Sequence, residues 1–108
     1  MKKIKESDIQ RSIIEYLELK GFLVHKVNNV GIFVAKTGKY IPPRQKGVPD
    51  LFFWERGTMH RGIYGAIEVK RKPNKPTHEQ LAWGEQMVHA GGIFIVAYSL
   101  DDVMDILG

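Results

Sequence analysis

The chain has 108 residues, enough for one hydrophobic core, and this length predicts a single domain over residues 1–108. It contains no cysteine, which excludes disulfide frameworks, cysteine-ligated zinc and thiol catalysis. Its apolar runs are too short to span a bilayer and its start lacks the apolar stretch of a signal peptide, so we expect a cytoplasmic protein without a membrane partner. The net charge of +4 favours a polyanionic partner.

A helix and several short strands are predicted in the first part of the chain. Ser7 and Gln10 have the spacing of a capping box, so we expect a helix that starts there and ends at the next glycine. Residues 22–27 and 31–35 are rich in β-branched and aromatic side chains and predict strands. Residues 37–40 predict a turn, and the two prolines after it predict an extended loop.

One glutamate of the first helix has an unusual position. At about 100° per residue, Glu6 projects onto the apolar stripe of the helix, whereas Glu15 lies on the far side. An ionised carboxylate resists burial unless it is paired or bound to a metal, so Glu6 is a candidate functional residue. The alternative is an exposed helix start, because Glu6 precedes the predicted cap. The stripe consists of Ile9, Ile13, Tyr16 and Leu17.

Two predicted strands in the middle of the chain carry charged side chains. The first is an apolar run preceded by Gly-Val-Pro-Asp at 47–50, and the second contains Ile-Glu-Val-Lys at 67–70. Because side chains alternate along a strand, Glu68 and Lys70 share one face, which we expect to be open to a ligand. The polar segment between the strands predicts an antiparallel hairpin, which would bring Asp50 beside them. Two carboxylates in one place suit a hard divalent cation.

A second helix, a strand and a third helix are predicted in the rest of the chain. Thr77 and Gln80 match a capping box, and this helix should end before the two glycines at 91–92. Residues 93–97 are typical of a buried central strand, and residues 99–107 predict a last amphipathic helix. The order of helix, three or four strands, helix, strand and helix predicts an α/β fold with one mixed sheet flanked by helices. On the second helix, Gln80 shares the predicted sheet-facing side with Gly84, Met87 and Val88.

The charged residues are distributed unevenly along the chain. Residues 19–49 contain several basic and no acidic side chains. A charge run by itself is often only solvated surface, and that alternative stays open. Because this run lies just ahead of the candidate metal site, we interpret it as a phosphate-contacting surface, together with the cations that follow Lys70. The predicted contact residues are Lys36, Lys39, Arg44, Lys46, Arg71, Lys72 and Lys75.

The motifs at 47–50 and 67–70 resemble the PD-(D/E)XK nuclease signature. With Gln80 downstream and the helical segment 6–10 upstream, the chain resembles the VRR-NUC family in particular, over most of its length. The resemblance implies a restriction-endonuclease-like fold, in which a mixed central sheet is flanked by helices. It also implies an Mg²⁺- or Mn²⁺-dependent deoxyribonuclease, selective for Holliday junctions or other branched DNA.

The resemblance further assigns roles to single residues. Asp50 and Glu68 are expected to bind the metal, with the backbone carbonyl of Val69 as a third oxygen and Glu6 completing the shell directly or through water. Lys70 is expected to orient the attacking water or to stabilise developing charge. Gln80 is expected to help fix the nucleophile or that lysine, although its role in the capping box alone also explains it.

DNA, branched or duplex, is the expected partner, and stand-alone proteins of this family imply a homodimer. Ile32, Phe33 and Val34 are candidates for the dimer interface, although burial in the core explains them equally well. Two other function classes stay open. One is a non-catalytic nucleic-acid-binding module with a nuclease-like fold. The other is a structural domain in which Glu68 and Lys70 are surface residues of an edge strand.

Overall fold

Three helices and six strands occur in the part of the chain that the computed structural model describes, which comprises residues 4–27, 31–42, 46–57 and 62–108. The predicted α/β class is confirmed, but five strands rather than three or four precede the second helix. The elements in chain order are helix α1 (Glu6–Leu19), strands β1 (Phe22–Lys26), β2 (Ile32–Val34), β3 (Lys39–Ile41), β4 (Leu51–Glu55) and β5 (Tyr64–Val69), helix α2 (His78–His89), strand β6 (Ile93–Ala97) and helix α3 (Leu100–Leu107).

A four-stranded mixed sheet forms the centre of the fold. Its order is β1-β4-β5-β6, in which β4 is antiparallel to both β1 and β5, and β5 is parallel to β6. The prediction of a central position for residues 93–97 is wrong, because β6 is an edge strand of this sheet. The residues of β6 are nevertheless continuously apolar because α2 and α3 pack against this strand. The inner strands are β4 and β5, and residues 65–69 are all buried.

The strands β2 and β3 pair only with each other, as a separate antiparallel hairpin. The prediction of one single sheet is therefore wrong for this part of the chain. The predicted turn at 37–40 is displaced to residues 35–38, with Gly38 at a φ of 67°, so that Tyr40 lies in a strand. Phe33 is 65% exposed, so burial in the core, one of two explanations for this segment, is wrong for that side chain.

Helix α1 starts before the predicted cap. Its N-cap is Lys5, whose backbone N–H donates to Asp8 Oδ2 at 3.4 Å, and Glu6 is already helical. The predicted capping box of Ser7 and Gln10 is therefore wrong. A carboxylate in the first turn serves as cap partner here because it accepts from a free amide and also interacts favourably with the helix dipole. The helix ends near the predicted place, with Lys20 as C-cap.

Helix α2 follows the capping prediction closely. Thr77 is its N-cap and Ala90 its C-cap, just before the two glycines. Of the residues predicted to face the sheet with Gln80, Gly84 is buried and Met87 is half-buried. Val88 is 56% exposed, because it lies about 80° round the helix from Gln80. No helix within the four described ranges is long and apolar enough to cross a membrane.

The helices cover both faces of the four-stranded sheet. α1 and α3 contact each other and pack against the face that carries Leu51 and Ile67. α2 packs on the opposite face, where a Cβ at Gly84 would collide with the ring of Phe94. The buried core consists of Ile9, Ile13, Leu17, Phe22, Leu51, Phe53, Ile67, Val69, Ile95, Ala97 and Val103.

Candidate active site

Asp50 is fixed directly before β4 by two hydrogen bonds. Its backbone carbonyl accepts from the N–H of Val27 at 2.8 Å, and its Oδ2 accepts from the N–H of Val69 at 2.7 Å. Since Leu51 is paired with Ile67 in the antiparallel register, the residue before it lies opposite Glu68. The β4–β5 hairpin therefore brings the two carboxyl groups together, on the face of the sheet that α2 covers.

A close approach of two backbones connects α2 to this loop. Gly47 has a φ of +82°, a conformation that side chains other than glycine rarely adopt. A Cβ at this position would collide with the backbone of Glu79 and lie 2.8 Å from the backbone nitrogen of Gln80. The loop that leads to Asp50 thus packs directly on the first turn of α2. This contact places Gln80 on the same side of the molecule as the carboxyl pair.

Glu68 is the one buried charged side chain in the part of the chain that the structure describes, with 2% of its surface exposed. The prediction of a face open to a ligand is therefore wrong for Glu68. The same burial, on an inner strand, argues against the interpretation of Glu68 as a surface residue of an edge strand. The alternation of side chains along β5 predicts the face of the sheet on which Glu68 lies. It does not predict that α2 and the loop packed on it bury this side chain, because that depends on the tertiary structure.

The environment of Glu68 favours its protonated form. Burial, a hydrogen bond with Asp50 and the charge of Asp50 raise the pKa of Glu68 to about 8 from an ordinary 4.5, with a smaller contribution from Glu6. The charge of Lys70 acts in the opposite direction and lowers this pKa. At neutral pH and without a cation, Glu68 therefore favours its protonated form, with the proton in the hydrogen bond to Asp50.

The two carboxyl groups fit a divalent cation. The Oε2 of Glu68 is buried and has no hydrogen-bond partner among the described residues, so an oxygen is available for a ligand. Only one oxygen of Asp50 is used by the N–H of Val69. In a strand the carbonyl of a residue points to the same side as its N–H, so the carbonyl of Val69 also points towards Asp50. A cation at this position would replace the shared proton.

The site provides two carboxylates rather than a complete protein cage. Among residues 4–27, 31–42, 46–57 and 62–108, no three acidic or histidine side chains lie close enough to hold an ion. Glu6 is half-buried on α1, across the sheet from α2, and the effect of its charge on the pKa of Glu68 is the smallest of the causes given above. Mg²⁺ in particular is bound through one or two carboxylates, with water completing its octahedral shell.

The two other predicted site residues, Lys70 and Gln80, come from different elements. Lys70 directly follows β5, and its backbone N–H donates to the carbonyl of Ala97 at 2.9 Å. Gln80 forms the predicted capping box: its Oε1 accepts from the N–H of Thr77 at 2.9 Å, and its own N–H donates to Thr77 Oγ1 at 3.2 Å. The capping role left open by the sequence is thus observed. It occupies the amide oxygen and fixes the orientation of the side-chain NH₂ group.

Gln10 ends the segment 6–10 that carries part of the family resemblance, but the only individual role that the sequence assigned to it is the capping one. Its Oε1 is buried and has no partner within the described ranges. It follows Glu6 by four residues, so the two side chains lie on one face of the helix. A second polar residue beside the apolar stripe, one turn after Glu6, is the signal by which the sequence could have identified it.

The predicted phosphate contacts are exposed wherever the structure describes them, while Arg44 lies outside the described residues. A cleft of about 640 Å³ opens beside the end of β5, and its lining includes Arg71, Lys72, Tyr98 and Asp102. Its cationic rim begins at the residue after Lys70. The exposed cations are Lys36, Lys39, Lys46, Arg71, Lys72 and Lys75.

Comparisons with known proteins identify a family and a similar fold. The sequence profile of the VRR-NUC domain matches residues 4–101. A solved structure described as a VRR_NUC domain is similar to the chain with a TM-score of 0.65 and 25% sequence identity, over 98% of this chain and 100% of the other. No curated protein matches the chain. The similarity thus extends over the first helix, the carboxyl pair and the segment after β5.

Proposed function

The chain belongs to the VRR-NUC family, whose domain is of the nuclease type with DNA as substrate, and we propose that it is a divalent-metal-dependent endonuclease. We infer the metal dependence from the carboxyl pair of Glu68 and Asp50. One buried oxygen of Glu68 has no hydrogen-bond partner among the described residues and could bind a cation. We propose Mg²⁺ or Mn²⁺ as the cation, because both prefer oxygen ligands and accept water in the remaining positions.

Asp50, Glu68 and the carbonyl of Val69 would hold the cation. When bound, a divalent cation polarises the scissile phosphate and lowers the pKa of a coordinated water. The N–H of Val69 keeps Asp50 in a fixed orientation, which reduces the reorganisation needed when the substrate arrives. The proton that Glu68 carries in the absence of a cation would be released on binding, so that Glu68 becomes negative beside Asp50.

Lys70, Gln80 and Glu6 would act around this pair. The ammonium group of Lys70 lies near enough to lower the pKa of Glu68 and would stabilise negative charge that develops on the phosphate. The NH₂ group of Gln80, oriented by the capping box, would donate to the attacking water or to a phosphate oxygen. Glu6 would reach the site through a water molecule, since it comes from the helix on the other face of the sheet.

We further propose that the substrate is branched DNA. The exposed cations described above supply sequence-independent contacts with phosphates, which suits an enzyme that recognises shape rather than sequence. A branched substrate presents several duplex arms, and cations lie both on the β2–β3 hairpin and beside the cleft after β5. These two groups of positive charge give more than one surface on which an arm can lie.

Substitution of the three central residues tests the activity. We expect Asp50→Asn, Glu68→Gln and Lys70→Ala each to reduce Mg²⁺-dependent cleavage by at least about 100-fold, because each removes a metal ligand or a stabilising charge. Cleavage of supercoiled and branched DNA is measured over a range of Mg²⁺ and Mn²⁺, with EDTA as the metal-free reference. Glu85→Gln, on the exposed side of α2, is the matched control. Full activity in folded Glu68→Gln protein would contradict the site.

A further inference from the structure

Two exposed aromatic rings distinguish the β2–β3 hairpin from the rest of the described surface. Phe33 is 65% exposed and Tyr40 is 62% exposed. The antiparallel register pairs them directly, so both side chains lie on the same face of the ribbon. The ring of Tyr40 lies over Gly31, where an added Cβ would collide with the hydroxyl group. Apolar rings in contact with water on so short a ribbon indicate a binding surface.

Two exposed lysines of the hairpin lie near this aromatic pair. Lys36 lies in the turn, and Lys39 precedes Tyr40 on β3, where alternation places its side chain on the opposite face of the ribbon. Residues 19–49 contain no acidic side chain, so nothing in this stretch of sequence neutralises the two lysines. Aromatic rings among cations form the type of surface on which nucleic-acid bases stack while the cations contact the adjacent phosphates.

We propose that the aromatic pair, Phe33 and Tyr40, binds unpaired nucleotides at a discontinuity in the DNA by base stacking. The proposal rests on the nuclease function above and extends it to the feature of the substrate that is recognised. In an intact duplex each base is covered by its neighbours and presents only its edges in the grooves. A free face for an aromatic ring occurs at a branch point, a flap or a strand end, so this surface selects DNA by its structure.

A second copy of the chain is a poorer occupant of the same surface. In a two-fold symmetric dimer the same patch occurs on both sides of the interface. Lys36, in the turn beside the rings, would then lie close to the same lysine of the other copy, and like charges brought together oppose association. DNA has the opposite charge and also supplies flat apolar faces for the rings.

The length of chain between the hairpin and the site limits where cleavage takes place. Tyr40 and Asp50 are ten positions apart in the chain, which is at most about 35 Å even if the chain is fully extended. Along a duplex that rises about 3.4 Å per base pair, this distance corresponds to about ten nucleotides. We therefore expect incision within about ten nucleotides of the stacked base.

The test compares DNA structures in EDTA, where the metal-dependent cleavage proposed above cannot proceed. The probe is a four-way junction with two unpaired nucleotides at the branch, one of them a fluorescent base analogue, set against a fully paired linear duplex of the same arms. For Phe33→Leu combined with Tyr40→Leu, the ratio of junction affinity to duplex affinity should fall about tenfold for each aromatic ring removed. The single variant Phe33→Leu and Gly31→Ala, which displaces the ring of Tyr40, should give intermediate ratios.

Trp54→Leu is the control, because Trp54 is also an exposed aromatic residue, 43% exposed, but lies on β4 and away from the hairpin. It should leave the ratio unchanged. The proposal would be overturned if the hairpin variants kept the wild-type affinity ratio. It would also be overturned if these variants changed from dimer to monomer and still bound the junction as well as the wild type does. If the wild-type chain cleaves no DNA with Mg²⁺ or Mn²⁺, the nuclease assignment fails. The affinity ratio, measured without metal, still decides whether the rings bind unpaired bases.

Discussion

The Glu68 carboxyl lies in an inner strand beside a second carboxyl, and both features favour a bound proton. A residue kept only for folding would gain stability from an apolar or amide side chain at this place, because an ionised carboxylate is costly to bury. In the function proposed above a cation would replace the proton, and its attraction to the two carboxylates would offset the cost that the metal-free protein bears.

This arrangement predicts how the stability of the metal-free protein depends on pH. The pKa of Glu68 is about 8 in the folded chain against 4.5 ordinarily. Below the lower value both states carry the proton. Between the two values only the unfolded state releases it, so the free energy of unfolding should fall as pH rises, by up to about 1.4 kcal/mol per unit. Above the higher value this loss is complete.

Urea denaturation in EDTA across this pH window measures the effect, and Glu68→Gln supplies the comparison. The difference in unfolding free energy between wild type and variant isolates the carboxyl pair of Glu68 and Asp50, since the other titrating groups are common to both. The variant should lack the decline that Glu68 causes. Parallel pH profiles for the two proteins would contradict a bound proton at Glu68.

Two glutamates of α1 provide a second comparison at the residue scale. Glu6 is half-buried and contributes to the raised pKa of Glu68, whereas Glu15 is exposed. We expect Glu6→Gln to slow cleavage by about 10- to 100-fold, the usual effect of a residue that supports a metal ligand. Glu15→Gln should have no effect on cleavage. Loss of activity in Glu15→Gln alone would show that the other face of α1 supports the site.

Sequence patterns predicted that Asp50 and Glu68 lie together, but they did not predict the burial of Glu68. The alternation along β5 and the hairpin predicted from the polar segment brought Asp50 and Glu68 together correctly. The burial of Glu68 was not predictable, because the cover comes from α2 and from the contact of Gly47 with that helix. Neither contact has a signal in the local sequence.

At the scale of elements, the errors also have physical causes. A continuous apolar run is expected both for a central strand and for an edge strand covered by helices, and β6 is of the second kind. The hairpin of β2 and β3 is built from strands of three residues each, too short for alternation to reveal a buried face. Both ends of α2 and the end of α1 were predicted more accurately, because periodicity and end signals reinforce each other there, whereas the start of α1 was not.

The acid-free segment permits a prediction about phosphate binding. Replacement of Lys36, Lys39 and Lys46 by glutamine should weaken binding to all DNA sequences, because these exposed cations release counterions when they contact phosphates. The slope of log affinity against log salt should decrease by up to about 0.9 for each phosphate that is no longer neutralised. Fluorescence anisotropy at several salt concentrations measures the slope.

A charge-matched variant separates local phosphate binding from net charge. Lys5, Arg11 and Arg56 are also exposed and lie outside residues 19–49, so their replacement by glutamine changes the net charge by the same amount. The control variant should retain most of the wild-type slope. Equal slopes in the two triple variants would mean that only the total charge of the protein matters.

At the scale of the whole molecule, the chain measures 48 × 39 × 24 Å. Within the residues that the structure describes, Glu68 and Asp50 form one carboxyl pair. The radius of gyration is 15.3 Å, larger than the roughly 13 Å expected for a compact chain of this length. A flat molecule with one site cuts one strand at a time. Symmetric cleavage of a branched substrate therefore requires two chains.

We predict that the protein forms a symmetric homodimer with two active sites related by a two-fold axis. Cyclic dimers are the commonest closed assembly of soluble proteins, and a two-fold axis matches the paired strands of a four-way junction. Light scattering during size-exclusion chromatography should give twice the chain mass of 12.3 kDa at micromolar concentration without DNA. The Phe33→Leu, Tyr40→Leu double variant should elute as the same dimer, because those rings are assigned to DNA. Cleavage of a four-way junction should produce paired nicks in opposite strands, and a stable monomer that nicks single strands at random would contradict the assembly.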